Sequence, residues 1–175
     1  MRTLYIRRHS SRSAPDPHLN QAGVSLARRV GEGMGTYARV ITSMLPRAYE
    51  TALAMGYAVD AQHPAEELHT MPGAIFNQIA PPYTIANHAV VVNSHPPAAA
   101  FATKVVALWR EIAQTIPNGA AALIILHGSI IEFGAIACFP DADYSAWGDG
   151  FSYCEGISLH LEGDTFTTIE MLRVR

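Results

Sequence analysis

Three short apolar runs in this chain each end in a basic or imidazole side chain and lead toward a segment with helical spacing. Leu4-Tyr5-Ile6 runs into Arg7, Arg8 and His9. Val40-Ile41-Thr42-Ser43 leads, after Met44-Leu45-Pro46, to Arg47. Ala121 through Leu126 ends at His127-Gly128-Ser129. A buried strand leaving the core delivers its next residues to the carboxyl edge of a sheet, where open α/β folds collect ligands. A parallel sheet brings all three run ends to one edge. The residues gathered there suit a phosphate ester. An arginine offers a planar, permanently charged fork to phosphate oxygens. An imidazole near neutral pH serves as nucleophile or as acid and base.

The rest of the pattern agrees with an α/β fold. Residues 3–7, 40–42 and 123–126 read as strands, the last as a central one because its apolar run is unbroken. Helical spacing predicts helices from Asn20 to Val30, Arg47 to Met55, Ala98 to Ile116 and Ile130 to Cys138. Glu155–His160 and Phe166–Leu172 flank Glu162-Gly163-Asp164 and read as a hairpin. Residues 57–95 show no clear period. They read as a long irregular connection, with room for a short helix, of the kind that often covers a site. The expected architecture is a three-layer α/β sandwich in a single domain, 1–175. Its central sheet is mostly parallel with an antiparallel edge, and helices cover both faces.

Composition narrows the function. The net charge of −3 carries no basic field for nucleic acid, so an anion site must be a local arginine cluster. No apolar run approaches the ~20 residues that span a bilayer. The chain enters its first strand at once, with no secretory leader before it, and a cytoplasmic location is expected. Two cysteines, Cys138 and Cys154, are too few for a disulfide scaffold. Eight histidines invite a metal reading. Yet His63, His69, His88 and His95 lack zinc-ligand spacing, and neither H-E-x-x-H nor C-x-x-C occurs, so no metal is expected. Gly31-Glu32-Gly33-Met34-Gly35 follows a helix rather than a strand, so it reads as a helix end, not a nucleotide loop.

These motifs resemble the histidine phosphatase superfamily, the phosphoglycerate-mutase-like fold. Arg8-His9 matches the family's Arg-His-Gly, with Ser10 in place of the glycine and Ser11 after it. Ser43 through Ala52 resembles Ser-Pro-Leu-x-Arg-Ala-x-x-Thr-Ala, with Pro46 moved beside Arg47. His127-Gly128 resembles the later Ser-His-Gly-Gly motif, with Ser129 replacing its second glycine. Leu19-Asn20-Gln21-Ala22-Gly23 is similar to the family's first helix start.

The resemblance implies hydrolysis of phosphate monoesters through a phosphohistidine on His9, without metal or other cofactor. Arg8, Arg47 and His127 would grip the phosphate, with Arg12 as a further candidate fork. The family places a proton donor in a Leu-x-Glu element after the second motif. Glu66 and Glu67 form the acidic pair in that region, and Glu67 fits the family phase better. Ser43 is expected to cap the following helix. The substrate would be a small phosphorylated molecule or a phosphoprotein. Two alternatives remain beside the hydrolase: a mutase-like phosphotransferase, and a phosphate-binding module without turnover. Hydrolysis is favoured over mutase action because no Arg or Lys lies between Arg47 and Ala98, where a second acidic group would need a grip.

Overall fold

A computed structural model describes residues 1–174. Its strands are β1 (Arg2–Arg8), β2 (Arg39–Ser43), β3 (Ala61–His63), β4 (Ala121–Leu126), β5 (Gly156–Glu162) and β6 (Thr165–Leu172). Its helices are α1 (Gln21–Gly31), α2 (Pro46–Ala54), α3 (Gly73–Phe76), α4 (Ile85–Ser94), α5 (Pro96–Gln114) and α6 (Ile130–Cys138). The strands form one sheet in the order β3-β2-β4-β1-β5-β6. β3, β2, β4 and β1 run parallel, and β5 and β6 add the antiparallel edge. The expected three-layer α/β fold is therefore the one the chain adopts.

Strand order explains why the three motifs meet. β2, β4 and β1 are consecutive, with Arg8 opposite Leu126 and Thr42 opposite Ile125. Their carboxyl ends thus lie side by side, and the residues just beyond them share one edge. Alternation along each strand supplies two cores. Leu4, Ile6, Ile124 and Leu126 face α4, α5 and α6, against Phe101, Trp109 and Phe133. Leu123, Ile125 and Val40 face α1 and α2, against Ala27, Ala48 and Met55. Each fully buried aliphatic side chain contributes about 1.5–3 kcal/mol of transfer free energy, so the shared edge stands on a rigid double-sided core.

Local chemistry fixes the helix starts. Asn20 caps α1, its side chain accepting from Gly23 N. Pro46 opens α2, where a missing N–H costs nothing. Gly23 lets α1 press on the loop after β1. A Cβ there would stand 2.0 Å from Ser11 O.

The least readable stretch is more ordered than its sequence suggests. Residues 57–95 carry β3, a 3-10 turn at Glu66–Leu68, α3 and all of α4. α4 escapes detection because Val90-Val91-Val92 interrupts any amphipathic period, and its β-branched side chains lower helix propensity. Burial of Ile85, His88, Ala89, Val91 and Val92 outweighs that propensity.

Candidate active site

Past the carboxyl ends of β1, β2 and β4 lies a cavity of about 340 Å³. Arg8, His9, Arg47 and His127 line it, so the three motifs converge on one space. Phe76, Tyr83, His88, Gly128, Ser129, Glu132, Gly150 and Phe151 complete the wall.

The His9 ring is oriented by its own turn. Nδ1 donates to Ser10 O at 2.7 Å, which leaves the Nε2 lone pair free to react. Arg47 Nε donates to that Nε2 at 3.2 Å. Ser10 is pinned from two sides. Its N–H donates to Thr51 Oγ1 at 2.8 Å, and its hydroxyl donates to Gly23 O at 2.7 Å. Thr51 in turn donates to Arg47 O at 2.6 Å, so α2 holds the His9 loop and the arginine together. Ser10 thus takes a structural post in the loop, in the place of the glycine of the motif.

His9 is only 6% exposed. Burial, joined by the charges of Arg47, Arg8 and Arg12, pushes its imidazole down to about 3 against the pull of the Ser10 hydrogen bond. The ring is therefore neutral across the physiological range. His127 is held well below the ordinary histidine value, chiefly by burial and then by its cationic neighbours. Its Nε2 is 2.7 Å from Ser43 Oγ. Ser43 Oγ accepts from Leu45 N, and we assign its own proton to His127 Nε2. That leaves the His127 proton on Nδ1, a buried donor with no partner. The two rings stand 5.1 Å apart between centroids.

Arg8 donates to Phe151 O at 2.7 Å through Nη1, and its guanidinium lies 4.8 Å from the Tyr153 ring centroid. Its Nε is buried and unpartnered. Gly128 makes room for it: a Cβ there would meet the guanidinium carbon at 3.1 Å. Arg47 sits in the first turn of α2, where desolvation and the charges of Arg12 and Arg8 lower its pKa. Among the described residues the ion pairs are His18–Glu50, Lys104–Glu67 and Arg173–Glu155. Arg8, Arg12 and Arg47 appear in none of them. No carboxylate among the described residues is within ion-pair distance of these three arginines, which leaves them able to take an anion.

The remaining sequence-derived residues fall elsewhere. Arg12 pairs in an isolated bridge with Leu19 and donates to Asp16 O, outside the cavity wall. It reaches the site through its charge. Glu67 is not brought to the cavity. Its carboxylate lies 3.2 Å from Lys104 Nζ and is held below the usual range by its own backbone N–H and by that lysine. Glu66 likewise is not part of the wall. Ser43 is not the cap of α2, whose N-cap is Leu45 without a side-chain bond; it orients His127 instead.

Sequence reading missed the other wall. His88 on α4 has its Nδ1 2.7 Å from Thr84 O and its Nε2 3.1 Å from Ser129 Oγ. Ser129 holds a positive φ of 64°, a strained turn that aims the start of α6. Glu132, 2% exposed, accepts from Phe151 N at 2.7 Å through Oε1. One signal pointed to it: a lone acid inside Ile130-Ile131-Glu132-Phe133, an otherwise apolar helix start.

No sequence-family model matches the chain, and no curated protein sequence does. Solved structures do match. A phosphoserine phosphatase from Entamoeba histolytica aligns with a TM-score of 0.74 at 14% identity, covering 100% of this chain and 98% of its own. A phosphoglycerate mutase from Bacillus anthracis aligns at 0.70 and 17%, covering 97% and 92%. A mycobacterial glucosyl-3-phosphoglycerate phosphatase aligns at 0.69 and 17%, covering 98% and 98%. All are members of the histidine phosphatase superfamily, and the chain has their fold.

Proposed function

We propose that this protein hydrolyses phosphate monoesters through a phosphohistidine formed on His9. One observation carries the reading: a neutral imidazole with an unprotonated Nε2 faces arginines that, among the described residues, pair with no carboxylate. A phosphoryl group is the anion that needs both features.

In the first step Arg47 turns from His9 Nε2 to a phosphate oxygen. Arg8 Nε and His127 Nδ1, both unpartnered donors, take the others. The Nε2 lone pair attacks phosphorus, an N–P bond forms, and the P–O bond to the alcohol breaks with its electrons leaving on oxygen. The arginines stabilise charge on the equatorial oxygens as it builds. In the second step water attacks phosphorus, the N–P bond breaks back onto His9, and inorganic phosphate departs. Exposed Phe76 and Tyr83 stand at the mouth, so solvent reaches the site. With Glu67 tied to Lys104, we assign the proton on the leaving oxygen to that solvent. Among the described residues the wall offers no Lys or Arg beyond Arg8 and Arg47, which supports hydrolysis over transfer to a second acidic function.

Turnover of p-nitrophenyl phosphate tests the reading. Wild type releases nitrophenol, and His9→Ala and Arg47→Ala each lose at least about a hundredfold in kcat/KM, in keeping with the weight of electrostatic groups. Unchanged turnover in His9→Ala rejects it.

A further inference from the structure

Buried polar atoms without a partner are scarce in folded proteins, and each points to something missing. Among the described residues they are Arg7 Nε, Arg8 Nε, Trp109 Nε1, His127 Nδ1 and Glu132 Oε2. Three are on residues that line the cavity, Arg8, His127 and Glu132. Two of these are donors, and phosphate oxygens satisfy them. The third is an acceptor, which a phosphate dianion cannot satisfy. A buried carboxylate oxygen calls for a donor, best a cation.

The described residues supply none. The other Glu132 oxygen is used by Phe151 N, and no Lys, Arg or His among the described residues lies within ion-pair distance of the carboxylate. His88, its neighbour across Gly150, has both ring nitrogens engaged elsewhere. With Nδ1–H given to Thr84 O, its Nε2 accepts from Ser129. The rest of this wall is aromatic. Phe76 and Tyr83 stack at 6.1 Å with 14° between planes, and Phe151 closes the inner side. Aromatic faces favour a cation or an apolar stem and give nothing to a carboxylate. Residues 48–103 contain no Lys or Arg, and Lys104 is occupied by Glu67.

We propose that Glu132 is a specificity carboxylate, which selects phosphate monoesters whose alcohol carries an ammonium group and no carboxylate. This rests on reading the cavity as a phosphate-ester site. The ester's phosphate lies on Arg8, Arg47 and His127, its short stem crosses the aromatic wall, and its ammonium donates to Glu132 Oε2. Such an amino-alcohol phosphate satisfies all three unpartnered atoms at once.

Binding to the His9→Ala protein separates recognition from leaving-group chemistry. The probes are O-phosphoethanolamine, n-propyl phosphate of nearly equal shape, and 3-phosphopropionate. We expect O-phosphoethanolamine to bind at least about tenfold more tightly than n-propyl phosphate, and 3-phosphopropionate to bind weakest. In the His9→Ala/Glu132→Gln protein the ratio of the first two should fall to about one. Equal binding of the two in the His9→Ala protein overturns the proposal without need of the second variant. So does a preference that survives in a folded Glu132→Gln protein. Phosphate release by wild type is followed in parallel. An ammonium preference without any turnover rejects the hydrolase reading and leaves Glu132 its role. Turnover without the preference does the reverse.

Discussion

The state of two imidazoles decides whether this site works. His9 is driven down to about 3 and His127 falls well below the usual value, each mainly by burial. The unfolded chain binds protons at both near pH 6.5, so between that pH and their folded values it binds more protons than the native state. Their contribution to stability is complete above about pH 6.5 and is lost as pH falls through their lowered folded values, about 3 for His9. Histidine ring signals in NMR check this. Those of His9 and His127 should stay fixed from pH 8 to pH 5, and a midpoint near 6.5 for either contradicts the account. The same scale separates Glu67 from the chemistry. Glu67→Gln should change hydrolysis of an alkyl phosphate by less than about threefold, since an exposed ion pair contributes ~1 kcal/mol or less. A hundredfold loss would restore it as the proton donor.

Elements set the distances among these residues. α1 touches the loop that carries His9 through Gly23, where a Cβ would fall 2.0 Å from a backbone oxygen of Ser11. Gly23→Ala gains some helix propensity, yet must push that loop away. We expect a net destabilisation of about 2 kcal/mol and a parallel loss of kcat, read by urea unfolding and by assay. Wild-type values in both would show that the loop yields freely. Gly128 is a gentler case, because the atoms at 3.1–3.2 Å belong to the Arg8 side chain. Gly128→Ala should therefore keep stability and raise KM, as the guanidinium leaves its place. Elements also show what a sequence can disclose. The strand ends were legible because each apolar run stops abruptly at a charged or imidazole residue, and the four residues Arg8, His9, Arg47 and His127 do meet. α4 and the wall residues His88, Ser129 and Glu132 were not. Their roles depend on which helices cross above the sheet, and no local period encodes that. Glu67 was misplaced for the same reason: its phase along the chain was read, but the 3-10 turn that carries it toward α5 was not.

At the scale of the whole molecule the protein is mildly acidic, and Arg8 and Arg47 stand together at the carboxyl edge of the sheet. On the proposed reading arginines take the part of a bound cation, so activity should persist in an excess of EDTA. Loss of activity restored by zinc or magnesium would overturn that. Among the described residues no helix is long and apolar enough to cross a membrane. The central claim is the covalent intermediate, and rapid acid-free quenching tests it most directly. Wild-type protein mixed with a phosphate-labelled ester and denatured in alkali should carry one label per chain, stable to base, labile to acid and mapped by mass spectrometry to the peptide holding His9. Steady hydrolysis with no such label, or a label on another residue, would contradict it.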